Sequence, residues 1–152
     1  MTLKMPYTKV CIHYVWSTKD RVRILTQPLR HLLFDHIRKN AAEKKIHIDR
    51  MNGYYEHIHC LVWLKPTQSI DKIAQLLKGE SAHWFNNSSG IQKIKLEWQD
   101  EYFAVSVSES MVPKLRMYID NQEIHHRQKT FQEEYEAFMR QYDFPENEQT
   151  RD

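Results

Sequence analysis

At 152 residues, with 41% hydrophobic and 28% charged side chains, the chain has the size and mix of one soluble globular domain with a usable core. A net charge of +2 and a pI near 8.5 make it weakly basic, compatible with nucleic acid without pointing to it. Three glycines and five prolines argue against a long flexible linker, and two cysteines against a disulfide framework or a Cys-x-x-Cys metal site. No apolar run approaches membrane-spanning length and no apolar leader is visible, so the expected setting is cytoplasmic.

Residues 1–8 read as a loose lead-in. Val10 to Trp16, rich in β-branched and aromatic residues, predicts a first strand. A polar loop with Lys19, Arg21 and Arg23 follows; such a loop can touch phosphates but is more often simply solvated. Thr26-Gln27-Pro28 is a helix-start signal. Leu29, Leu32, Leu33, Ile37 and Ala41 then recur at helical spacing, so the helix extends to about Lys45. Ile46 to Met51 alternates and predicts a second strand, and Gly53 bends the chain into a third over 56–64, a hairpin.

Ser69 is placed to cap a helix from Ile70 to about Asn86, closed by the cluster Asn86 to Gly90. Lys93 to Trp98 and Tyr102 to Val107 are two further strand candidates. Ser108 or Ser110 caps the next helix, with Pro113 in its first turn, and that helix runs to about His126. A last helix covers about Phe131 to Tyr142. The order β-α-β-β-α-β-β-α-α predicts an α+β fold of ferredoxin-like split βαβ type. It would have an antiparallel sheet of four to five strands, helices on one face and additional C-terminal helices. One domain over 9–142 and a polar tail over 143–152 are expected.

The strand over 56–64 carries two histidines one residue apart. Side chains two apart on a strand share a face, so His57 and His59 project together while Ile58, Cys60, Val62 and Leu64 project oppositely. Two imidazoles side by side can bind one metal ion. By that stretch alone, a pair of half-buried, hydrogen-bonded histidines is the commoner outcome. Tyr118 and Gln122 lie four apart on one predicted helix and share a face, within a stripe of Met111, Leu115, Tyr118, Gln122 and His125 that is only partly apolar. On spacing alone, a surface or interface helix in which Tyr118 packs and Gln122 is solvated is the readier reading. Chemically, two imidazoles and an amide oxygen suit a divalent ion with open positions. A tyrosine beside it becomes a nucleophile only with help from a metal or base.

Taken together these motifs resemble the single-tyrosine HUH transposases of the smallest bacterial insertion sequences, including their repeat-associated relatives. The resemblance rests on His57-Ile58-His59 and its continuation Cys60 to Pro66, on Ser69-Ile70, and on Leu77 to Ser81. Glu97 to Ser108, Tyr118 to Gln122, Glu123 to Arg127 and Phe131 to Tyr135 extend it, and Val15 to Arg21 fits the first strand and loop. It covers about residues 9–142.

The resemblance implies that His57, His59 and Gln122 bind the metal, Mg²⁺ or Mn²⁺, and that Tyr118 is the nucleophile. It implies cleavage of single-stranded DNA at hairpin-flanked sites, leaving a 5′-phosphotyrosine and a free 3′-hydroxyl, followed by strand transfer. It also implies a ferredoxin-like homodimer, in many members with the tyrosine helix of one subunit completing the site of the other.

The chain departs from the family pattern at Glu101, where small or basic residues are usual, and at Tyr55-Glu56, where Pro-Asp or Pro-Asn is usual. Glu56 is expected to point away from the histidine face. Candidate DNA contacts are Lys19, Arg21, Arg23, Lys72, Lys78, Lys93 and Lys95, with Tyr54, Tyr55 and Trp84 as bases' stacking partners, although packing is the readier role for Trp84. Two rival readings stand beside the enzyme: a hairpin-binding module without cleavage, and a structural metal site joined by Cys60, which strand parity opposes.

Overall fold

The computed structural model of the chain describes residues 6–88 and 95–144. It divides into two units, residues 1–122 and 123–152.

The first unit is built on a four-stranded antiparallel sheet ordered β2-β3-β1-β4. The strands are β1 (Val10–Ser17), β2 (His47–Gly53), β3 (His57–Leu64) and β4 (Phe103–Val107). β1 and β3 are the two central strands, and six consecutive residues in each are buried. Such strands are sandwiched on both faces, which is why they read as continuous apolar runs.

One face carries α1 (Gln27–Glu43) and α2 (Ile70–Asn87). Their Leu33, Phe34, Ile37, Ile73, Ala74, Leu77 and Phe85 close the main core over Ile12, Tyr14 and Trp16 of β1 and Ile58, Cys60 and Val62 of β3. α2 begins as expected, with Ser69 accepting the Lys72 backbone N–H at 3.1 Å. The opposite face carries α3 (Val112–Asp120), whose Val112 and Ile119 pack with Cys11 and Leu61, flanked by Trp63, Leu115 and Tyr118. The helices of this unit thus cover both faces of the sheet, because β1 and β3 present apolar side chains at odd and even positions alike.

Polar bonds to edge strand β2 fix α3. Arg116 donates twice to Asp49, at 2.8 and 2.6 Å, and the Trp63 indole donates to the same carboxylate at 2.9 Å. Asn52 donates to the carbonyl of Ile119 at 2.9 Å. Gly53 permits the turn into β3, since a Cβ there would stand 2.2 Å from the His57 carbonyl oxygen.

Three expected elements differ. Residues 89–94, including Lys93 and with it the first two residues of one strand candidate, lie outside the described residues; Lys95 to Glu97 are irregular, and Trp98 makes one isolated bridge with Thr18. That segment follows the end of β1 through Gln99 N–H to Ser17 O and Lys19 N–H to Glu97 O, both 2.9 Å, rather than extending the sheet. Before α3, Ser108 does not cap it: a 3₁₀ turn over Glu109–Met111 intervenes, with no side-chain cap bond. The predicted single helix to His126 breaks at Asn121, where α3 ends, and α4 (Gln122–His126) follows.

The second unit comprises most of α4 and α5 (Phe131–Gln141). A capping box starts α5: Thr130 accepts the Glu133 N–H at 3.2 Å and the Glu133 carboxylate accepts the Thr130 N–H at 3.4 Å. His125 and His126 turn toward Glu134, at 3.3 and 3.4 Å, tying α4 to α5. Among the described residues no helix is long and apolar enough to cross a membrane.

The Arg116 hydrogen bonds hold the Asp49 carboxyl below the usual carboxylate range. A depressed folded pKa contributes stability that is complete above the unfolded value, about 3.9, and is lost as pH falls through the folded one. Asp49→Asn should therefore be less stable than the parent to urea at neutral pH. The gap should close in acid as Asp49 protonates. A gap independent of pH would contradict this role for the pair.

Candidate active site

The α3 face of the sheet holds His57 and His59, as strand parity requires, and both are buried. Cys60 faces the other way into the main core, where burial pushes its thiol up to about 12. Cys11 lies on the histidine face, but its thiol is also raised, to about 11, chiefly by burial. Neither sulfur is poised as a thiolate ligand, and Cys60 is on the wrong face for the structural metal site considered above.

Each histidine ring is held by its Nδ1. The His57 Nδ1 meets the Glu56 carboxylate at 2.7 Å, and the His59 Nδ1 meets His13 Nε2 from β1 at 2.9 Å. On the far side of its ring, His57 Nε2 meets the Gln122 amide oxygen at 3.1 Å. The Tyr118 ring stands edge-on to His59, with centroids 5.7 Å apart, and the two ligand-candidate imidazoles lie 5.1 Å apart. The Gln122 amide also donates to the Tyr118 carbonyl at 3.3 Å, spanning the break at Asn121. All four predicted residues, His57, His59, Tyr118 and Gln122, thus converge within one chain.

The donor set fits a divalent ion. Histidine ligands characteristically give one ring nitrogen to the metal and the other to a carboxylate, carbonyl or similar partner. Here both Nδ1 atoms are engaged, and the Nε2 of His57 is aimed at an amide oxygen. Two donors on one small cation lie about 3 Å apart, the spacing His57 and Gln122 already have.

Glu56 is a correction. The period-2 rule placed it away from the histidines, but β3 starts at His57, so alternation does not reach it. The residue is buried and its second carboxylate oxygen pairs with Arg23 at 2.9 Å. His13 was missed altogether. A lone histidine in an apolar strand carries no motif; the signal that could find it is its odd position in β1, on the histidine face.

The basic candidates have separate fates. The Arg23 guanidinium lies 4.6 Å from the Tyr55 ring centroid and 5.5 Å from that of Tyr54, beside Glu56. Arg21 follows Asp20 in a left-handed turn, with φ of 55° and 56°. Lys19 and Lys95 are exposed and approach Glu97 at 3.8 and 4.0 Å. Lys78 spends its ammonium on the carbonyls of Gln99, Asp100 and Glu101, at 2.6, 2.9 and 3.3 Å, and so shapes the loop before β4. Lys93 is outside the described residues. Trp84 stacks on His36, with centroids 4.1 Å apart, against the main core.

The four-stranded antiparallel sheet of split βαβ type, with its helices, is similar to the fold of a tyrosine transposase. The profile of the IS200-like transposases matches residues 6–122, and the chain belongs to that family. The match ends at Gln122, the last residue of the first unit.

A crystal structure of a provisionally assigned transposase from Deinococcus radiodurans R1 is similar at 25% identity and TM-score 0.61, covering 80% of this chain and 98% of that one. A REP-associated tyrosine transposase bound to a REP hairpin shares the fold, at 15% identity and TM-score 0.56, covering 84% of this chain and 73% of that one. No curated protein matches the chain significantly.

Both thiols should resist a thiol reagent in the native protein at about pH 8 and react once it is unfolded in guanidinium. Rapid native labelling of Cys60 would contradict its place in the core.

Proposed function

We propose that the protein is a metal-dependent transposase that cleaves and rejoins single-stranded DNA at hairpin-flanked sites through a 5′-phosphotyrosine on Tyr118. The observation that carries this reading is the convergence of Tyr118 on His59 while Gln122 meets His57, all in one chain. Membership of the IS200-like transposases supports a DNA-cleaving role, and the hairpin bound by the REP-associated transposase supports the class of substrate.

In this reading His57, His59 and Gln122 hold Mg²⁺ or Mn²⁺. The bound ion would polarise the scissile phosphate and offset its developing charge. The Tyr118 hydroxyl attacks phosphorus: a bond from phenolic oxygen to phosphorus forms as the phenolic proton passes to solvent, the bond to the 3′ oxygen breaks, and the leaving oxygen takes up a proton from solvent. The phosphotyrosine ester conserves the bond, so attack by a 3′-hydroxyl rejoins DNA and restores tyrosine without a nucleotide cofactor. Gln122 and Tyr118 flank the Asn121 break, so ligand and nucleophile are positioned together.

Arg23, Arg21, Lys19 and Lys95 are the proposed phosphate contacts, with Tyr54 and Tyr55 stacking on unpaired bases. Lys78 is assigned to the loop, as its three carbonyl contacts support. The homodimer implied by the resemblance belongs to this proposal too, with each site assembled in cis.

Tyr118→Phe should bind a hairpin as tightly as the parent and cleave nothing, since only the nucleophilic oxygen is lost. His57→Ala, His59→Ala and EDTA treatment should each abolish cleavage of a labelled hairpin with single-stranded flanks. Cleavage by the phenylalanine variant would reject Tyr118 as nucleophile, and full activity in EDTA would reject the metal. Hairpin binding without cleavage by the parent protein, in Mg²⁺ or Mn²⁺, would leave only a binding module.

A further inference from the structure

The main core leaves His13 out. It sits in the middle of β1 among apolar neighbours and is buried. In the antiparallel pairing of β1 with β3, His13 stands opposite Leu61 and Val15 stands opposite His59. His13 is therefore the diagonal neighbour of His59 on the same face, a position from which a long side chain reaches across. It does so, with Nε2 2.9 Å from His59 Nδ1 and the ring planes 21° apart. Phe103 of β4 packs edge-on against the His13 ring at 6.2 Å.

We propose that His13 is a positioning residue for the ion site: it pins the His59 ring by Nδ1, so that Nε2 is presented to the ion. The inference rests on the metal reading of His57, His59 and Gln122 given above. A neutral imidazole offers one donor and one acceptor, so a single N–H···N bond joins the pair. Whichever ring holds that proton, the bond fixes the rotation of His59 about its side chain. When Nε2 of His59 is a ligand, its proton resides on Nδ1 and is donated to His13.

The two ligand rings are then held by unlike partners. Glu56, from the segment before β3, pins His57 with a carboxylate, and His13, from β1, pins His59 with a ring nitrogen. His13 touches neither ion nor DNA in this scheme. It acts on ion affinity alone.

The test is Mn²⁺ titration calorimetry on the full chain, with hairpin binding measured separately in EDTA. His13→Phe keeps a ring against Phe103 but removes the nitrogen. It should weaken Mn²⁺ binding by about 10- to 100-fold, the usual cost of losing a metal ligand's outer partner. Hairpin binding in EDTA should be unchanged. His13→Gln, which restores a polar atom at about the same reach, should recover much of the affinity and also guards against a phenylalanine variant that fails to fold. Parental Mn²⁺ affinity in folded His13→Phe, or no recovery in folded His13→Gln, overturns the proposal. If the parent protein itself binds no Mn²⁺, the metal reading fails and this inference falls with it, a result distinct from equal affinity in parent and variant.

Discussion

The register of β3 between β1 and β2 is the constraint on which the site depends. β3 is buried on both faces, so every residue along it has one of two destinations. Ile58, Cys60 and Val62 enter the core under α1 and α2, which leaves His57, His59 and Leu61 for the face under α3. A slip of one residue would exchange the two sets, putting imidazoles into an apolar core and a thiol into the site. The apolar set holds the register, and the histidines inherit their placement from it. Gly53 adds a local constraint, because only a residue without Cβ tolerates the His57 carbonyl so close.

The second half of the site depends on a different kind of interaction. α3 is a short helix with a small apolar contact, Val112 and Ile119 against Cys11 and Leu61. Its direction is set by polar bonds to the edge strand: Arg116 to Asp49 at one turn and the Ile119 carbonyl to Asn52 at the next. Bidentate pairing fixes orientation as well as proximity. Those bonds bring Tyr118 against His59, and the chain breaks at Asn121 just beyond, where the Gln122 side chain turns in to His57. A hydrophobic sheet face thus supplies the two histidines, and a hydrogen-bonded helix supplies Tyr118 beside them.

Much of this was legible in the sequence. The strands β1 to β4 and helices α1, α2 and α5 carry strong periodicity or clear start signals such as Ser69 and Pro28, and they occur close to where these predict. Parity along β3 correctly separated Cys60 from the histidines. What the sequence concealed is tertiary. Asn121 breaks a helix with neither glycine nor proline, so nothing local marks it. Glu56 was misplaced by extending a strand rule one residue beyond the strand. His13 became visible only once β1 and β3 were known to be neighbours, since its partner is 46 residues away. Lys78 looked like a phosphate contact because its three carbonyl acceptors lie on another segment.

The central claim is that Tyr118 becomes covalently joined to DNA. The most direct measurement is to incubate the protein with a single-stranded hairpin from its own genomic neighbourhood in Mg²⁺ or Mn²⁺, digest it with nuclease and protease, and analyse the peptides by mass spectrometry. The account predicts a 5′-phosphonucleotide on the peptide containing Tyr118 and on no other tyrosine. The same modification on a different tyrosine, or cleaved DNA with unmodified Tyr118 throughout the reaction, would contradict it.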